Sequence, residues 1–457
     1  MEIETSTKNH LQRKLTNRHL QMIALGGAIG TGLFYGSAST IAITGPAIIL
    51  SYLVGGIIMF LIMRMLGEIC VEHPISGSFS TYAEKFWGEF PAYLSGWSYL
   101  TAWILTSMAE LTAIGIYINF WFPGIPQWLT ALVCLVVVTI ANLINVRMYG
   151  ELETIMSSIK VLAVIAMIVF GLYLLFTTPA YGPFPDNFSN IWTNGGFIPH
   201  GWYGVACSMA VVLFSFAGVE FIGMTAAEVQ EPEKHIPTAI NQVLIRVMIF
   251  YIGTMVVLLA LFPWDKVGAN GSPFVEIFAK IGINAAAHIL NFVVLIAAIS
   301  VYNSGMYANG RMLYSLARNG KAPKFLRHLS KTGIPTRGVL FSSGMTLIAV
   351  LLNYVMPEKV FNYLMALGVV VFIVCWATIV MTHLKFRQLH IKQGTVDSIK
   401  FKSILYPFAN YLCLVFFILV IAVMATMESM QPAVYLLPVW LILMVLSYKL
   451  TKKNTAS

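Results

Sequence analysis

Long apolar stretches recur along nearly the whole chain, and they restrict its possible folds more than any other feature. A helix that crosses the hydrocarbon core of a bilayer needs about 20 apolar residues. Only 10% of the residues are charged, whereas soluble domains carry about 25%. The pattern predicts an all-α polytopic membrane protein with twelve spans and no soluble domain. The predicted spans are 20–40, 46–66, 92–120, 128–146, 156–176, 203–226, 240–262, 285–305, 338–355, 361–383, 406–426 and 432–449.

The basic residues predict the orientation of these spans. If the N-terminus is cytoplasmic, 24 of the 28 lysines and arginines fall at cytoplasmic ends or in cytoplasmic loops. Lysine and arginine accumulate on that side of membrane proteins. We therefore expect a multi-pass protein of the plasma (bacterial inner) membrane, with a cytoplasmic N-terminal segment, 1–19, and a cytoplasmic tail, 450–457. The formal net charge of +9 is then a topology signal, and no nucleic-acid partner is expected.

Glycines interrupt two of the predicted spans. The first contains "GGAIGTGLF" at residues 26–34, although each glycine costs about 1 kcal/mol against alanine in a helix interior. The sixth contains "FSFAGVEFIGMTAAE", which places Gly218 and the carboxylate of Glu220 in mid-span. Small residues can simply allow helices to pack closely. Interrupted helices in corresponding positions of two halves, however, indicate a transporter binding site.

The spacing of the spans divides the chain into two halves. Five spans lie within 20–176 and five within 203–383, and an interrupted span opens each half. The last two spans lie within 406–449. We therefore expect two five-helix repeats followed by two peripheral helices.

Several motifs carry a family resemblance that extends over most of the chain. They are "LTNRHLQMIALGGAIGTGLF", "GPAIILSYLVGG", "MRMLGE", "GSFSTYAEKFWG", "FSFAGVEFIGMTAAEVQEPEKHIPTAI" and "NSGMYANGRMLYSLARNGKAP". Through them the chain resembles bacterial amino-acid permeases of the amino acid–polyamine–organocation superfamily, in the amino-acid transporter branch. The resemblance implies a LeuT-type fold, with two inverted five-helix repeats and with helices 1 and 6 unwound in mid-membrane. It also implies a transporter without enzymatic activity, cofactor or metal ion.

The resemblance further implies that the break in the first span binds the substrate carboxylate through backbone N–H groups and a hydroxyl. The N-terminus of a half-helix has unpaired donors and about +0.5 charge, which suits an anion. Carbonyl groups at the same break and in the sixth span would face the substrate ammonium. The expected substrate-binding residues are Ala28, Gly30, Thr31, Gly32, Ser107, Glu110, Phe214, Ala217 and Gly218.

Three ionisable side chains within spans are expected to serve proton coupling or gating, because a charge in the membrane is costly and usually functional. The resemblance implies that Lys160 replaces a sodium ion between helices one, five and eight. Alternatively, Lys160 reaches the membrane interface with its long side chain. Glu220 is expected to carry a proton or link the site to the gate, or else to satisfy the unwound backbone. Glu110 could be a second protonation site, contact the substrate amine, or form a structural pair.

The predicted function is secondary active uptake of a small neutral L-amino acid (threonine, serine, alanine or proline) by proton symport and alternating access. No arginine at membrane depth could pair with an acidic substrate, and the identifiable wall residues are apolar or small. In addition, "ELTAIGIYINFWFP" and "LNFVVLIAAISVYNSGMY" resemble threonine/serine- and proline-type permeases. The expected partners are the amino acid, protons and the bilayer, without an obligatory protein partner.

Other functions remain open from the sequence. An amino-acid exchanger, or a permease for aromatic amino acids or 4-aminobutyrate, fits the same pattern. A membrane-embedded enzyme is a remote alternative, since no HExxH, GxSxG or paired mid-membrane aspartates occur.

Overall fold

The computed structural model describes residues 26–74, 78–144, 146–177, 187–224, 231–267, 272–330 and 333–456. The predicted segment 1–19 and the start of the first predicted span lie outside these residues. The described residues form helices and connecting turns, and no β-strand occurs among them. The helices are α1 (Thr31–Phe34), α2 (Gly36–Thr44), α3 (Ile48–Glu72), α4 (Ser78–Phe86), α5 (Glu89–Asn119), α6 (Gln127–Ile144), α7 (Val146–Thr177), α8 (Gly201–Ser215), α9 (Phe221–Met224), α10 (Pro232–Leu261), α11 (Pro273–Lys280), α12 (Asn284–Arg318), α13 (Thr336–Val355), α14 (Val360–Gln393), α15 (Phe408–Met424) and α16 (Gln431–Ala456).

The prediction of a polytopic helical membrane protein is confirmed. Within the described part of the chain, nine helical segments are long and apolar enough to cross a membrane. Two shorter apolar helices, α8 and α15, accompany them. The turn between α2 and α3 contains Gly45 with φ of 63°, a left-handed conformation that suits glycine. The count of twelve spans stays a prediction.

The helices divide into an interior group and a peripheral group. Helix α5 packs along both α12 and α14, and α10 packs along α3. In the most apolar windows of α5 and α14, 78% of the residues are buried, against 11% in α16. The exposed side chains of the outer helices are aliphatic at many positions, such as Val137, Leu162 and Ile442. These surfaces suit contact with lipid, whereas α5 and α14 are enclosed by protein.

Several helices are longer than the spans predicted from hydropathy. Helix α12 has 35 residues and so extends for about 52 Å, which exceeds the hydrocarbon thickness of about 30 Å. Its last turns contain Arg311 and Arg318, and the last turns of α14 contain Lys385 and Arg387. These charges end the apolar window but not the helix, which explains why the predicted spans stop earlier.

A buried ionic cluster joins α3, α14 and the segment before α15. The Glu68 side chain is fully buried, and the Arg387 Nε lies 2.5 Å from its Oε1. The backbone N–H of Ser403 donates to Glu68 Oε2 at 2.5 Å, and His383 Nε2 lies 3.1 Å from the same oxygen. Because the partners of Glu68 come from α14 and from the segment before α15, the cluster fixes these two segments and α3 against one another.

Replacing Glu68 with glutamine is expected to lower the thermal stability of the purified protein markedly. The Arg387 guanidinium would then be buried without a counter-charge, and breaking a buried ion pair costs about 3–5 kcal/mol. The matched control is Glu89→Gln, which removes a 2.8 Å pair with Lys452 whose side chains are 61% and 64% exposed. An exposed pair contributes about 0–1 kcal/mol. Equal Tm shifts for the two variants in detergent would contradict a stabilising role for the cluster.

Candidate functional site

Two helical segments are interrupted where glycines lie within apolar sequence. Residues 26–28 are helical, Ile29 and Gly30 are not, and α1 begins at Thr31. Gly30 is extended, with φ of −138° and ψ of −159°. Helix α8 ends at Ser215, turn residues follow at 216–220, and α9 begins at Phe221. Both interruptions coincide with the glycine patterns of the first and sixth predicted spans.

The two interruptions touch each other through their backbones. Gly218 has φ of +103°, and a Cβ there would lie 2.5 Å from the carbonyl carbon of Gly27. A Cβ on Gly32 would lie 2.7 Å from Ser215 Cα. Real Cβ contacts are longer than this, so any side chain at Gly218 or Gly32 would push the two segments apart.

Side chains from within the protein bind the backbone groups that the interruptions free. The Tyr251 hydroxyl of α10 lies 2.7 Å from the Ala28 carbonyl oxygen and 2.5 Å from that of Ser215, close enough to donate to either. The backbone N–H of Gly218 donates to both carboxylate oxygens of Glu220, at 3.2 and 3.1 Å. The Ala28 carbonyl, expected to face the substrate ammonium, therefore accepts a hydrogen bond from protein. Glu220 makes the contact that its structural alternative requires.

Lys160 is buried and contacts the first interrupted segment. Its Nζ donates to the Gly26 carbonyl at 2.5 Å and to Ser300 Oγ of α12 at 2.9 Å. The side chain is 0% exposed, so it does not reach toward a membrane interface. Glu153, which the sequence analysis missed, lies 4.0 Å from Nζ and accepts a hydrogen bond from Ser300 at 2.6 Å. Lys160 thus links α7 and α12 to the start of the first break.

Glu110 of α5 contacts the other side of the first break. Its Oε1 accepts a hydrogen bond from Thr31 Oγ1 at 2.8 Å and one from the Thr31 N–H at 3.4 Å. The side chain is buried. The Glu110 carboxylate thus lies at the donors that the resemblance assigns to the substrate carboxylate.

A small cavity lies between the interrupted segments, α5 and α12, and most of the predicted binding residues border it. Those on its wall are Ala28, Gly30, Gly32, Glu110, Phe214 and Ala217. Three predicted residues lie elsewhere. Thr31 binds Glu110, Gly218 packs on Gly27, and a Cβ on Gly305 would lie 2.5 Å from Ser107 Oγ, so Ser107 packs on α12.

Four wall residues were not predicted, and two of them contribute hydrophobic bulk. They are Gly27, Trp103, Thr106 and Val301. Trp103 and Thr106 precede Glu110 by seven and four positions, so helical spacing alone could have placed them on one face of α5. Tyr251 had no comparable signal, because one tyrosine in an apolar span is not distinctive.

Aromatic side chains dominate one part of this region. The Trp103 ring lies 4.8 Å from that of Phe221 and 6.0 Å from that of Phe372. Phe214 packs toward α14, where a Cβ on Gly368 would lie 3.6 Å from its ring. Two aromatic wall residues, Trp103 and Phe214, therefore border the same cavity as the glycines of the first break.

Comparisons with known proteins give a consistent result over nearly the full length. The family model described as amino acid permease matches residues 19–457. The aromatic amino acid transport protein AroP of Escherichia coli (strain K12) is 51% identical over 446 residues, covering 98% of this chain and 96% of that protein. AroP of Shigella flexneri has the same identity and coverage. The uncharacterized amino acid permease YtnA of Bacillus subtilis (strain 168) is 43% identical over 453 residues, covering 98% of each chain.

The prediction of a small neutral amino acid as substrate is wrong. Relatives with about half of their residues identical are named as aromatic amino acid transporters, which was an alternative in the sequence analysis. The physical reason is that largely apolar walls restrict the charge of a substrate side chain but not its size. Moreover, Trp103 was not recognised as part of the wall.

The family match and the apolar helices agree on the class of protein. The relatives are permeases and transport proteins, and the described residues contain nine membrane-capable helices. The chain is a multi-pass membrane protein, and it belongs to the amino acid permease family of the amino acid–polyamine–organocation superfamily.

Proposed function

We propose that this permease takes up aromatic amino acids across the bacterial inner membrane by proton symport. The observation that carries the proposal is that two aromatic side chains, Trp103 and Phe214, both line the cavity beside the first break. Aromatic rings attract one another in offset or edge-to-face geometry, with about 0.5–1.5 kcal/mol beyond the area that they bury. The names of the AroP relatives support the same substrate class.

The proposed architecture is the LeuT-type fold with twelve spans and both termini in the cytoplasm. Its two inverted repeats would comprise 20–176 and 203–383, with 406–449 as the peripheral pair. The contact between Gly27 and Gly218 supports this arrangement, because it joins the interrupted helices that open the two repeats. Transport would proceed by alternating access around these helices.

The proposed site binds the two ends of the amino acid at the two interruptions. Backbone N–H groups at Gly30–Gly32 and the Thr31 hydroxyl would bind the carboxylate. Carbonyl groups near Phe214 and Ala217 would face the ammonium. Support comes from the cavity, whose wall contains residues of both interruptions.

Proton coupling is proposed because three buried ionisable groups contact the interruptions directly. Glu110 binds Thr31, Lys160 binds the Gly26 carbonyl and Glu220 binds the Gly218 N–H.

Moreover, the Lys160 ammonium already occupies the oxygens of Gly26 and Ser300. A sodium ion at that position would compete with a fixed positive charge, which favours sodium-independent transport.

The substrate class is tested by competition against labelled phenylalanine uptake in proteoliposomes. Phenylalanine, tyrosine and tryptophan are expected to inhibit at concentrations about tenfold lower than threonine, serine, alanine or proline. Rings can stack on Trp103 and Phe214, whereas small side chains leave these surfaces uncovered. Stronger inhibition by any small neutral amino acid would overturn the assignment.

The coupling ion is tested in the same proteoliposomes. Replacing sodium with choline is expected to leave uptake unchanged, and an inward pH gradient is expected to drive accumulation. Lys160→Ala should abolish the gradient-driven part, because the buried ammonium that binds the Gly26 carbonyl is lost. Loss of wild-type uptake in choline would contradict the role proposed for Lys160, and uptake that only trades internal for external amino acid would indicate an exchanger.

The Tyr251 hydroxyl, which binds both interruptions, can be removed with little change in the shape of the side chain. Tyr251→Phe deprives the Ala28 and Ser215 carbonyls of their donor, at a cost of about 1–3 kcal/mol, so we expect uptake to fall about fivefold or more. The control is Tyr52→Phe, an equally buried tyrosine whose hydroxyl has a 3.4 Å contact with Ser215 Oγ. Similar uptake by both variants would show that the bridge is unimportant for transport.

A further inference from the structure

A carboxylate of the protein already occupies the donors proposed for the substrate. Glu110 Oε1 accepts both the hydroxyl and the backbone N–H of Thr31, at 2.8 and 3.4 Å. The Glu110 side chain is 1% exposed, and it lies on the wall of the cavity. A substrate carboxylate bound to the same two donors would meet the Glu110 carboxylate at contact distance.

We propose that Glu110 is an internal ligand that holds the place of the substrate carboxylate, so that an amino acid binds only as Glu110 takes up a proton and leaves Thr31. This inference deepens the proposed proton-coupled uptake and rests on it. It assigns Glu110 a specific role among those that the sequence left open: it competes with the carboxylate end of the substrate.

The contacts of Glu110 suit a side chain that must leave. Its second oxygen, Oε2, is buried and has no hydrogen-bond partner among the described residues. The whole attachment therefore consists of two hydrogen bonds to one residue, Thr31. A purely structural pair is usually held by further partners, because an unpaired buried oxygen is costly.

The charges around Glu110 explain why a proton must accompany its departure. Lys160 faces it from α7, but the ammonium is held by two other oxygens. Tyr117 faces it from its own helix, and α12 and α8 present the apolar side chains of Val301 and Phe214 to the cavity. A carboxylate displaced from Thr31 loses both of its hydrogen bonds, and burying an unpaired charge is far costlier than burying the acid.

The proton balance follows from this exchange. A proton from the outside solution binds a Glu110 oxygen and forms an O–H bond, and the neutral acid releases the Thr31 donors to the substrate carboxylate. After the amino acid leaves toward the cytoplasm, that O–H bond breaks and the proton passes to entering water. Glu110, ionised again, then returns to Thr31. One proton therefore moves with each substrate molecule.

The inference is tested by counting protons taken up on binding, with calorimetry in buffers of different ionisation enthalpy. The ligand is the amino acid that inhibits phenylalanine uptake most strongly in the competition experiment. A wrong assignment of the substrate class can therefore be distinguished from a wrong role for Glu110. Wild-type protein should take up about one proton per amino acid, and affinity should weaken about tenfold per pH unit once Glu110 is ionised. Glu110→Gln should bind without proton uptake and independently of pH. The control Glu89→Gln, at an exposed position, should behave as wild type.

A second arm uses wild-type protein alone and so does not depend on the folding of a variant. The decarboxylated amine of the same substrate is 2-phenylethylamine for phenylalanine. It has no carboxylate to compete for the Thr31 donors, so Glu110 stays bound to Thr31. Its binding, where detected, should take up no proton. Proton uptake of equal size for the amine and the amino acid would overturn the inference. So would proton uptake that persists in Glu110→Gln, or wild-type binding of the amino acid without any proton uptake.

Discussion

The backbone contact between Gly27 and Gly218 is the constraint on which the rest of the site depends. It brings two interrupted segments so close that no Cβ fits between them. Interrupted backbone is tolerated at membrane depth only where protein or enclosed water binds the freed N–H and carbonyl groups. Once the two breaks meet, the surrounding helices must therefore supply polar side chains at this one place, within walls that are otherwise apolar.

Four buried polar side chains among the described residues meet that requirement together. Each of them binds a backbone group at or beside an interruption, and each comes from a different part of the chain. The pairs are Lys160 with the Gly26 carbonyl, Tyr251 with those of Ala28 and Ser215, Glu110 with the Thr31 N–H, and Glu220 with that of Gly218. The charges that looked like three independent functional signals in the sequence thus form one arrangement around the breaks. Structural and functional roles need not be alternatives for them.

The sequence predicts this arrangement only in part, for identifiable reasons. Glycines in an apolar run indicate the breaks because each glycine destabilises the helix at its own position. Charges in mid-span are conspicuous because each charge has a high free-energy cost in lipid. Tyr251 went unrecognised because its partner Ala28 lies 223 positions away in the chain. Glu153 went unrecognised because it precedes the predicted span 156–176. Ser107 was misplaced because α5 is buried on most sides, so hydropathy does not tell which face borders the cavity.

The substrate was mispredicted because the motifs used for it lie mostly away from the cavity. Of "ELTAIGIYINFWFP" only Glu110 borders the cavity, and of "LNFVVLIAAISVYNSGMY" only Val301 does. Likeness in such stretches concerns parts of α5 and α12 that, apart from these two residues, do not border the cavity. Discrimination by size instead requires bulk on the wall, which Trp103 and Phe214 supply from α5 and α8. Substitutions at a few wall positions are therefore expected to change the size of the substrate that fits, while the backbone contact between Gly27 and Gly218 is kept.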